Sequence, residues 1–297
     1  MPEKTIYDPP PTIYLIPPTA PMPQTPPLSS AMPERLSNRR EKAIRKLARR
    51  KHRRAQEQAL IEGVRAVEAA LEAQAPLVSL VASHDALDGD ARVATLARRA
   101  AQQQTPVYTT SPETLAALSD VSSPQGVLAV VRTALAPVEA LAEAGRPVLV
   151  LDGVQDPGNA GTALRTAAWF GTGAVLAGPG TAGLYGPKTL RAAMGAHWRL
   201  TLSRTSEMAD ALTGLRRNGF ALYGADLAGT PASAWVPRSP AALVLGSEAH
   251  GLSGPALDLV SERVALPRAA AEGASAGIES LNVAVAGGVL LYEWLGR

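Results

Sequence analysis

The stretch PVLVLDGVQDPGNAGTALRTAAWFG, residues 147–171, decides the fold class. An apolar run enters the turn DPGN at residues 156–159, and a segment of small and apolar residues follows as a predicted helix. A buried strand, a tight turn and a helix form the repeating unit of parallel α/β sheets. Free N–H groups at the helix start favour an anion, although a plain strand-to-helix turn with Asn159 as its N-cap explains the pattern equally well.

The rest of the second half repeats this alternation of apolar runs and helical patterns. Predicted strands lie at residues 174–176, 220–223, 241–245 and 263–266, and an apolar helix is predicted over residues 280–294. This alternation favours a mainly parallel sheet flanked by helices. We therefore predict one α/β domain over residues 146–297.

The first half predicts a smaller α/β domain over residues 34–135. Residues 34–74 are predicted to be helical, with a basic run followed by one apolar stripe. The pattern then predicts strands at 77–82 and 126–131, helices at 91–103 and 112–118, and an extended segment at 107–109. Residues 133–146 have the composition of a linker with some helical character.

The N-terminal residues have a different composition. Eleven of the 25 prolines fall within residues 1–33, so this stretch is predicted to be a disordered arm. Its prolines interrupt any secretory core segment. The longest uncharged run, residues 166–187, contains six glycines and two prolines, so no membrane span is predicted.

Cysteine and histidine usage excludes several classes of site. The chain has no cysteine, which excludes disulfides, thiolate metal sites and cysteine nucleophiles and is compatible with the cytoplasm. Its four histidines are scattered, so no metal site is predicted.

Positive charge is concentrated in one short segment. Residues 34–54 hold eleven basic and two acidic side chains, whereas the net charge of the whole chain is only +3. A polyanion partner such as nucleic acid explains this concentration, and a solvated basic tail is the alternative.

Two further glycine-marked segments lie in the second half. AALVLGSEAHGLSG, residues 241–254, places Gly246 at the end of a buried strand, where open α/β sheets bind ligands, but it has neither a dinucleotide fingerprint nor a Walker loop. ALPRAAAEGASAGIESLNVAVAGGVLLYEWL, residues 265–295, ends in a helix opened by polar capping residues. No Gly-x-Ser-x-Gly elbow occurs, so a serine hydrolase is not predicted.

The order of three motifs resembles one family. Three segments resemble the motifs of the SpoU/TrmH family of RNA 2′-O-ribose methyltransferases, in the SPOUT superfamily. They are NAGTALR at 159–165, LGSEAHGLS at 245–253, and LP at 266–267 with ESLNVAVA at 279–286. Residues 45–131 resemble, more weakly, that family's L30e-like RNA-binding domain. One departure is the long spacing of twelve residues between Pro267 and Ser280.

The resemblance implies a C-terminal domain with a trefoil knot and transfer of a methyl group from S-adenosylmethionine to a ribose 2′-hydroxyl. The implied catalytic set is Arg165, Asn159, Glu248, Ser280 and Asn282, with Arg165 as a phosphate clamp because a guanidinium hardly loses its proton. The implied cofactor-binding residues are Gly246, Leu266, Leu281, Leu245, Ser247 and Gly251. No metal is implied.

The implied partner is ribosomal RNA, with 23S rRNA as the expected target and a role in ribosome maintenance or antibiotic resistance. The expected RNA contacts are Arg49, Arg50, Lys51, Arg53 and Arg54. A tRNA 2′-O-methyltransferase and a non-catalytic RNA-binding or ribosome-assembly protein are the alternatives. The family also implies a homodimer, for which the last helix offers the apolar residues Leu281, Val285, Val289, Leu290 and Trp294, although the same stripe fits a buried core helix.

Overall fold

A computed structural model describes residues 33–143, 145–268 and 279–296. The predicted arm over residues 1–33 therefore lies, except for Pro33, outside the described residues. The structure contains two sheets. We call the part around the sheet within residues 34–132 the first lobe, and the part around the sheet within residues 148–265 the second lobe.

The first lobe is a five-stranded mixed sheet covered by six helices. Its strands are β1 (Glu34–Arg35), β2 (Gln58–Glu62), β3 (Leu77–Ser83), β4 (Val107–Thr110) and β5 (Val127–Arg132), in the order β1-β4-β3-β5-β2. Its helices are α1 (Asn38–Lys46), α2 (Arg50–Gln56), α3 (Val64–Glu72), α4 (His84–Gly89), α5 (Ala91–Gln102) and α6 (Pro112–Leu118). Strand β5 runs antiparallel to β2 and β3, and the remaining pairs are parallel.

The prediction that residues 34–74 are helical holds for α1, α2 and α3 but is wrong for β1 and β2. The chain forms β1, α1, α2, β2 and α3 there, because Glu57 has a left-handed φ of 49° and Gly63 a φ of 87°, which end the helical path on both sides of β2. Ala59 and Ile61 are buried in alternation, so part of the assumed helical stripe has the period of a strand. Elements β3, β4, β5, α5 and α6 agree with the prediction to within one residue at each end.

The second lobe is a six-stranded parallel sheet with helices on both faces, as predicted. Its strands are β6 (Val148–Leu151), β7 (Ala174–Ala177), β8 (Thr201–Arg204), β9 (Ala221–Pro231), β10 (Ala241–Leu245) and β11 (Glu262–Ala265), in the order β11-β9-β10-β6-β7-β8. Its helices are α7 (Ala140–Glu143), α8 (Pro157–Trp169), α9 (Pro187–Ala193), α10 (Met208–Arg217), α11 (Gly254–Leu259) and α12 (Val283–Leu295). Every residue of β6, β7 and β10 is buried, because helices cover both faces of these central strands.

The lobes are joined by a packed interface at α9 and the 3₁₀ turn Ala196–Arg199. Leu190 of α9 is buried among the core residues of the first lobe, and Trp198 packs against the same cluster. Arg191 lies 3.5 Å from the carboxylate of Glu62 on β2. His197 is buried with Nε2 2.7 Å from the Leu184 carbonyl oxygen, and burial lowers its pKa to about 4, so the ring is neutral at pH 7. We call this interface the joint.

Within residues 33–143, 145–268 and 279–296, every helix is too short or too polar to span a bilayer. The same residues contain no cluster of three acidic or histidine side chains suited to holding a metal ion.

Candidate active site

The turn between β6 and α8 places Asn159 in the first turn of the helix rather than before it. Asp156 is the N-cap, and its Oδ1 accepts a hydrogen bond from the backbone N–H of Asn159 at 2.8 Å, while Pro157 occupies the first helical position. The alternative interpretation of this turn, with Asn159 as the N-cap, is therefore wrong. Because Asp156 caps the helix, the amide side chain of Asn159 is available for other contacts.

Asn159 connects the three sequence motifs through its side chain. Its Nδ2 donates to Oε1 of Glu248 at 2.6 Å, and its Oδ1 accepts from Nδ2 of Asn282 at 3.0 Å. Asn282 in turn caps α12, since its Oδ1 accepts from the N–H groups of Ala284 and Val285. The donor and acceptor atoms of Asn159 are thus both used, which fixes the orientation of its amide. We call these three side chains the polar network.

The loop after β10 has a shape that only glycine permits at its start. Ser247 and Gly251 exchange two backbone hydrogen bonds of 2.9 Å, which folds the loop back on itself. A Cβ on the buried Gly246 would lie about 2.5 Å from the Leu252 nitrogen and closer still to the Gly251 carbonyl group. Gly246 therefore allows the two arms of this loop to touch.

Asp152, which the sequence analysis did not single out, anchors the same loop from β6. Its side chain is buried, and Oδ2 accepts a hydrogen bond from the Ser253 N–H at 2.7 Å. Its own N–H donates to the Leu245 carbonyl oxygen at 2.8 Å. A charged residue directly after a fully apolar strand was the signal that could have identified it.

A cavity of about 660 Å³ lies beside this loop, at the carboxyl ends of β10 and β11 and next to the middle of β9. All six residues predicted to bind the cofactor line it: Leu245, Gly246, Ser247, Gly251, Leu266 and Leu281. Glu248 and Ser280 line it as well, so the polar network reaches the cavity. Its size is typical of pockets for small molecules and cofactors.

Strand β9 contributes a wall that the sequence analysis missed. The predicted strand ends at residue 223, but β9 continues to Pro231 and brings Ala225, Asp226 and Leu227 to the cavity. Its pairing with β11 shifts register between Arg263 and Val264, and Arg263 lies 3.4 Å from the carboxylate of Asp226.

The long spacer between Pro267 and Ser280 falls mostly outside the described residues. At its two described ends, Arg268 Nη2 donates to the carbonyl oxygen of Glu279. Helix α12 begins at Val283 rather than at the predicted residue 280, so Ser280 and Leu281 belong to the segment that precedes the helix.

Arg165 stands apart from the polar network. It is exposed on α8, and six residues at 100° each place it about 120° around the helix from Asn159. Among the described residues it has no hydrogen bond or ion pair, and it does not line the cavity. Its guanidinium is therefore free to bind a ligand that approaches α8 from outside.

Helices α8 and α12 share an exposed apolar surface next to the polar network. Val285 is 54% exposed and Tyr292 50%, and both line the open hollow between the helices together with Val289 and Thr162. Trp169, which lies two turns after Thr162 on the same side of α8, is 77% exposed. We call this surface the α8–α12 face. Of the other residues predicted for a dimer contact, Leu281 is exposed, Leu290 is buried against the sheet and Trp294 is half-buried.

The five predicted RNA contacts lie on or next to α2 and have different surroundings. Arg53 Nη1 donates to the carbonyl oxygens of Leu47 and Ala48 at 2.8 and 2.7 Å, so it closes the end of α1. Arg50, Arg53 and Arg54 line a cleft between the lobes, whereas Arg49 and Lys51 are exposed outside it.

Comparison with known proteins identifies both halves of the chain. Residues 146–292 match the SpoU rRNA Methylase family, and residues 38–129 match the MRM3-like substrate binding domain. The chain is 32% identical over 264 residues to the Bacillus subtilis protein 23S rRNA (guanosine(2553)-2′-O)-methyltransferase RlmP. The aligned region covers 89% of this chain and 98% of that protein.

Solved structures give the same result. A TrmH-family protein from Porphyromonas gingivalis is 33% identical, with a TM-score of 0.73 over 90% of this chain and 100% of that one. The AdoMet-bound rRNA methyltransferase from Sinorhizobium meliloti is 25% identical, with a TM-score of 0.75 over 88% of this chain and 95% of that one. The α/β fold, the order of the three motifs and these similarities together show that the chain belongs to the SpoU/TrmH family of RNA methyltransferases.

Proposed function

We propose that this protein transfers the methyl group of S-adenosylmethionine to a ribose 2′-hydroxyl of ribosomal RNA, with 23S rRNA as its target and the cytoplasm as its location. The observation that carries this proposal is the cavity at the carboxyl end of the sheet with the polar network at its edge. Membership of the SpoU/TrmH family supports the reaction, and the Bacillus subtilis relative, named as a 23S rRNA methyltransferase, supports the substrate.

The residues of the cavity suit S-adenosylmethionine. Leu245, Leu266 and Leu281 offer apolar contact for an adenine ring, and the backbone of the loop that starts at Gly246 offers hydrogen-bonding groups. Gly246 lets the two arms of that loop touch, because a Cβ there would clash with the backbone of Gly251 and Leu252. When bound, the sulfonium donor supplies an activated methyl group.

The remaining motif residues would act on the RNA. Arg165 cannot serve as a general base, since a guanidinium keeps its proton, so we assign it to the phosphate beside the reacting ribose. Asn159, Glu248, Ser280 and Asn282 would orient the 2′-hydroxyl toward the donor. Within this group, Glu248 accepts a hydrogen bond from Asn159, which holds its side chain at the cavity edge.

The first lobe would bind the RNA as an L30e-like domain of residues 34–135, and the second, of residues 146–297, would be the catalytic domain. The match of residues 38–129 to a substrate binding domain supports this division. We further propose that the second lobe contains the trefoil knot of the family. Supporting this, α12 follows the edge strand β11, yet its Gly287 packs against Leu245 of the central strand β10.

The direct test is methyl transfer from labelled S-adenosylmethionine to rRNA and tRNA, followed by primer extension to map the modified nucleotide. We expect one modified ribose in 23S rRNA. Modification of tRNA alone would replace the substrate assignment. If calorimetry detects no S-adenosylmethionine binding with or without RNA, the enzyme assignment is wrong and the chain is an RNA-binding protein.

We also propose that two copies associate through the α8–α12 face. Its exposed Val285, Tyr292 and Trp169 form an apolar surface of a kind that soluble proteins cover. Val285→Asp would place a charge on this surface and should convert a dimer into a monomer in sedimentation experiments. The control is Val236→Asp, which changes another exposed valine in the second lobe. A wild-type monomer, or equal dimerisation of both variants, would contradict the proposal.

A further inference from the structure

A cleft of about 330 Å³ between the two lobes carries an excess of positive charge. Helix α2 of the first lobe contributes Arg50, Arg53 and Arg54 to its lining, and the second lobe contributes Lys188 and Arg204. Among the described residues that line it, none is acidic. The cleft therefore collects five cations from two separate parts of the fold.

Three of these five cations are free to bind a ligand. Arg53 and Arg204 donate to backbone carbonyl oxygens, at 2.7 to 2.9 Å, and so are held by the protein itself. Arg50, Arg54 and Lys188 are exposed and make no hydrogen bond or ion pair within the described part of the chain. Their charge is not needed to hold the fold together.

The cations of the cleft are close enough to repel one another. The pKa of Arg204 is lowered, first by burial and then by the charges of Arg50 and Arg54. Such crowding destabilises the free protein, and a bound anion would relieve it. A solvated basic tail would instead spread its charges apart.

The cleft also leads to the candidate active site. Pro157, the first residue of α8, lines the cleft, and Asn159 of the polar network follows two residues later. A chain of phosphates in the cleft would therefore run from α2 to the turn that carries Asn159. A single small anion would need only a few of these cations, not cations from α2 as far as the start of α8.

We propose that this cleft binds consecutive phosphates of the RNA strand that carries the target ribose, with Lys188 as an RNA-binding residue of the second lobe. The inference rests on the proposed function, because it takes the RNA substrate as the anion. It adds that both lobes hold one strand together, so that binding energy from α2 positions the strand at the polar network.

The test is the salt dependence of RNA binding by the full chain, measured with the RNA fragment that contains the methylated nucleotide. Each lost phosphate contact lowers the slope of log K against log salt by roughly 0.7 to 0.9. Lys188→Gln and Arg50→Gln should each show this decrease, and the double variant about twice as much. Arg217→Gln, the same kind of charge loss on the exposed end of α10, should leave the slope unchanged.

A second readout locates the strand. The chain has no cysteine, so Lys188→Cys and Arg217→Cys each provide one site for a thiol-linked photo-cross-linker. Lys188→Cys should cross-link within a few nucleotides of the methylated ribose, and Arg217→Cys should not. An unchanged slope in Lys188→Gln, or equal loss in Arg217→Gln, overturns the cleft proposal even if wild-type protein methylates RNA. Failure of wild-type protein to methylate any RNA overturns the proposed function instead.

Discussion

Arg165→Ala should lower methyl transfer by about 100-fold or more while leaving S-adenosylmethionine binding nearly unchanged. The guanidinium is exposed on α8, has no partner among the described residues and does not line the cavity. Its removal therefore takes nothing from the fold or the cofactor site. What it removes is the charge-assisted contact proposed for the phosphate next to the reacting ribose. The measurement is single-turnover methyl transfer, with calorimetry for cofactor affinity.

Two further variants make this result specific. Arg165→Lys keeps the charge but loses the planar fork, so its rate should fall between those of wild type and Arg165→Ala. Arg216→Ala removes an exposed arginine from the last turn of α10 and should have no effect. Near-normal turnover of Arg165→Ala would refute the phosphate clamp. Loss of cofactor binding in parallel with turnover would show that Arg165 instead supports the cofactor site.

Gly246→Ala should abolish detectable S-adenosylmethionine binding, with at least a 100-fold loss of affinity. The added Cβ would lie about 2.5 Å from the Leu252 nitrogen and closer still to the Gly251 carbonyl, so the two arms of the loop would have to separate. Both arms line the cavity, and their separation changes its shape. Because the clash involves backbone atoms, even the smallest side chain is sufficient.

The matched control is Gly254→Ala, in the same region of the chain. A Cβ on Gly254 meets open space and its φ is not positive, so binding should remain at the wild-type level. Thermal unfolding and circular dichroism of both variants separate loss of the site from loss of the fold. A folded Gly246→Ala protein with wild-type affinity would show that the loop does not form the cofactor site.

The sequence predicted the central strands and the residues that meet at their ends. It did not predict β8 or the second half of β9, which form through pairing with distant parts of the chain. β6, β7 and β10 are continuous apolar runs, so their signal is local. β8 has the sequence TLSR, and the second half of β9 is rich in small and polar residues. These segments become strands because a neighbouring strand pairs with them, and such pairing leaves little trace in local composition.

The start of α8 shows how a local rule could have been applied better. Asp156 and Asn159 are both good N-cap residues, and an N-cap at Asn159 would start α8 about one turn too late. Pro157 is favoured at the first helical position, which makes the preceding Asp156 the cap. The cleft between the lobes, in contrast, could not be predicted, because Arg204 and α2 meet only through the packing of the joint.

The joint fixes the distance between the two ends of the proposed RNA-binding path. Because Leu190 belongs to the core of the first lobe, packed side chains rather than the length of segment 133–147 set the distance from α2 to Asn159. Every ribose in an RNA offers the same 2′-hydroxyl, so chemistry alone cannot select one. A fixed distance between α2 and Asn159 can select one. Only an RNA fold that presents its phosphates and a free ribose at that distance would bind at both places at once.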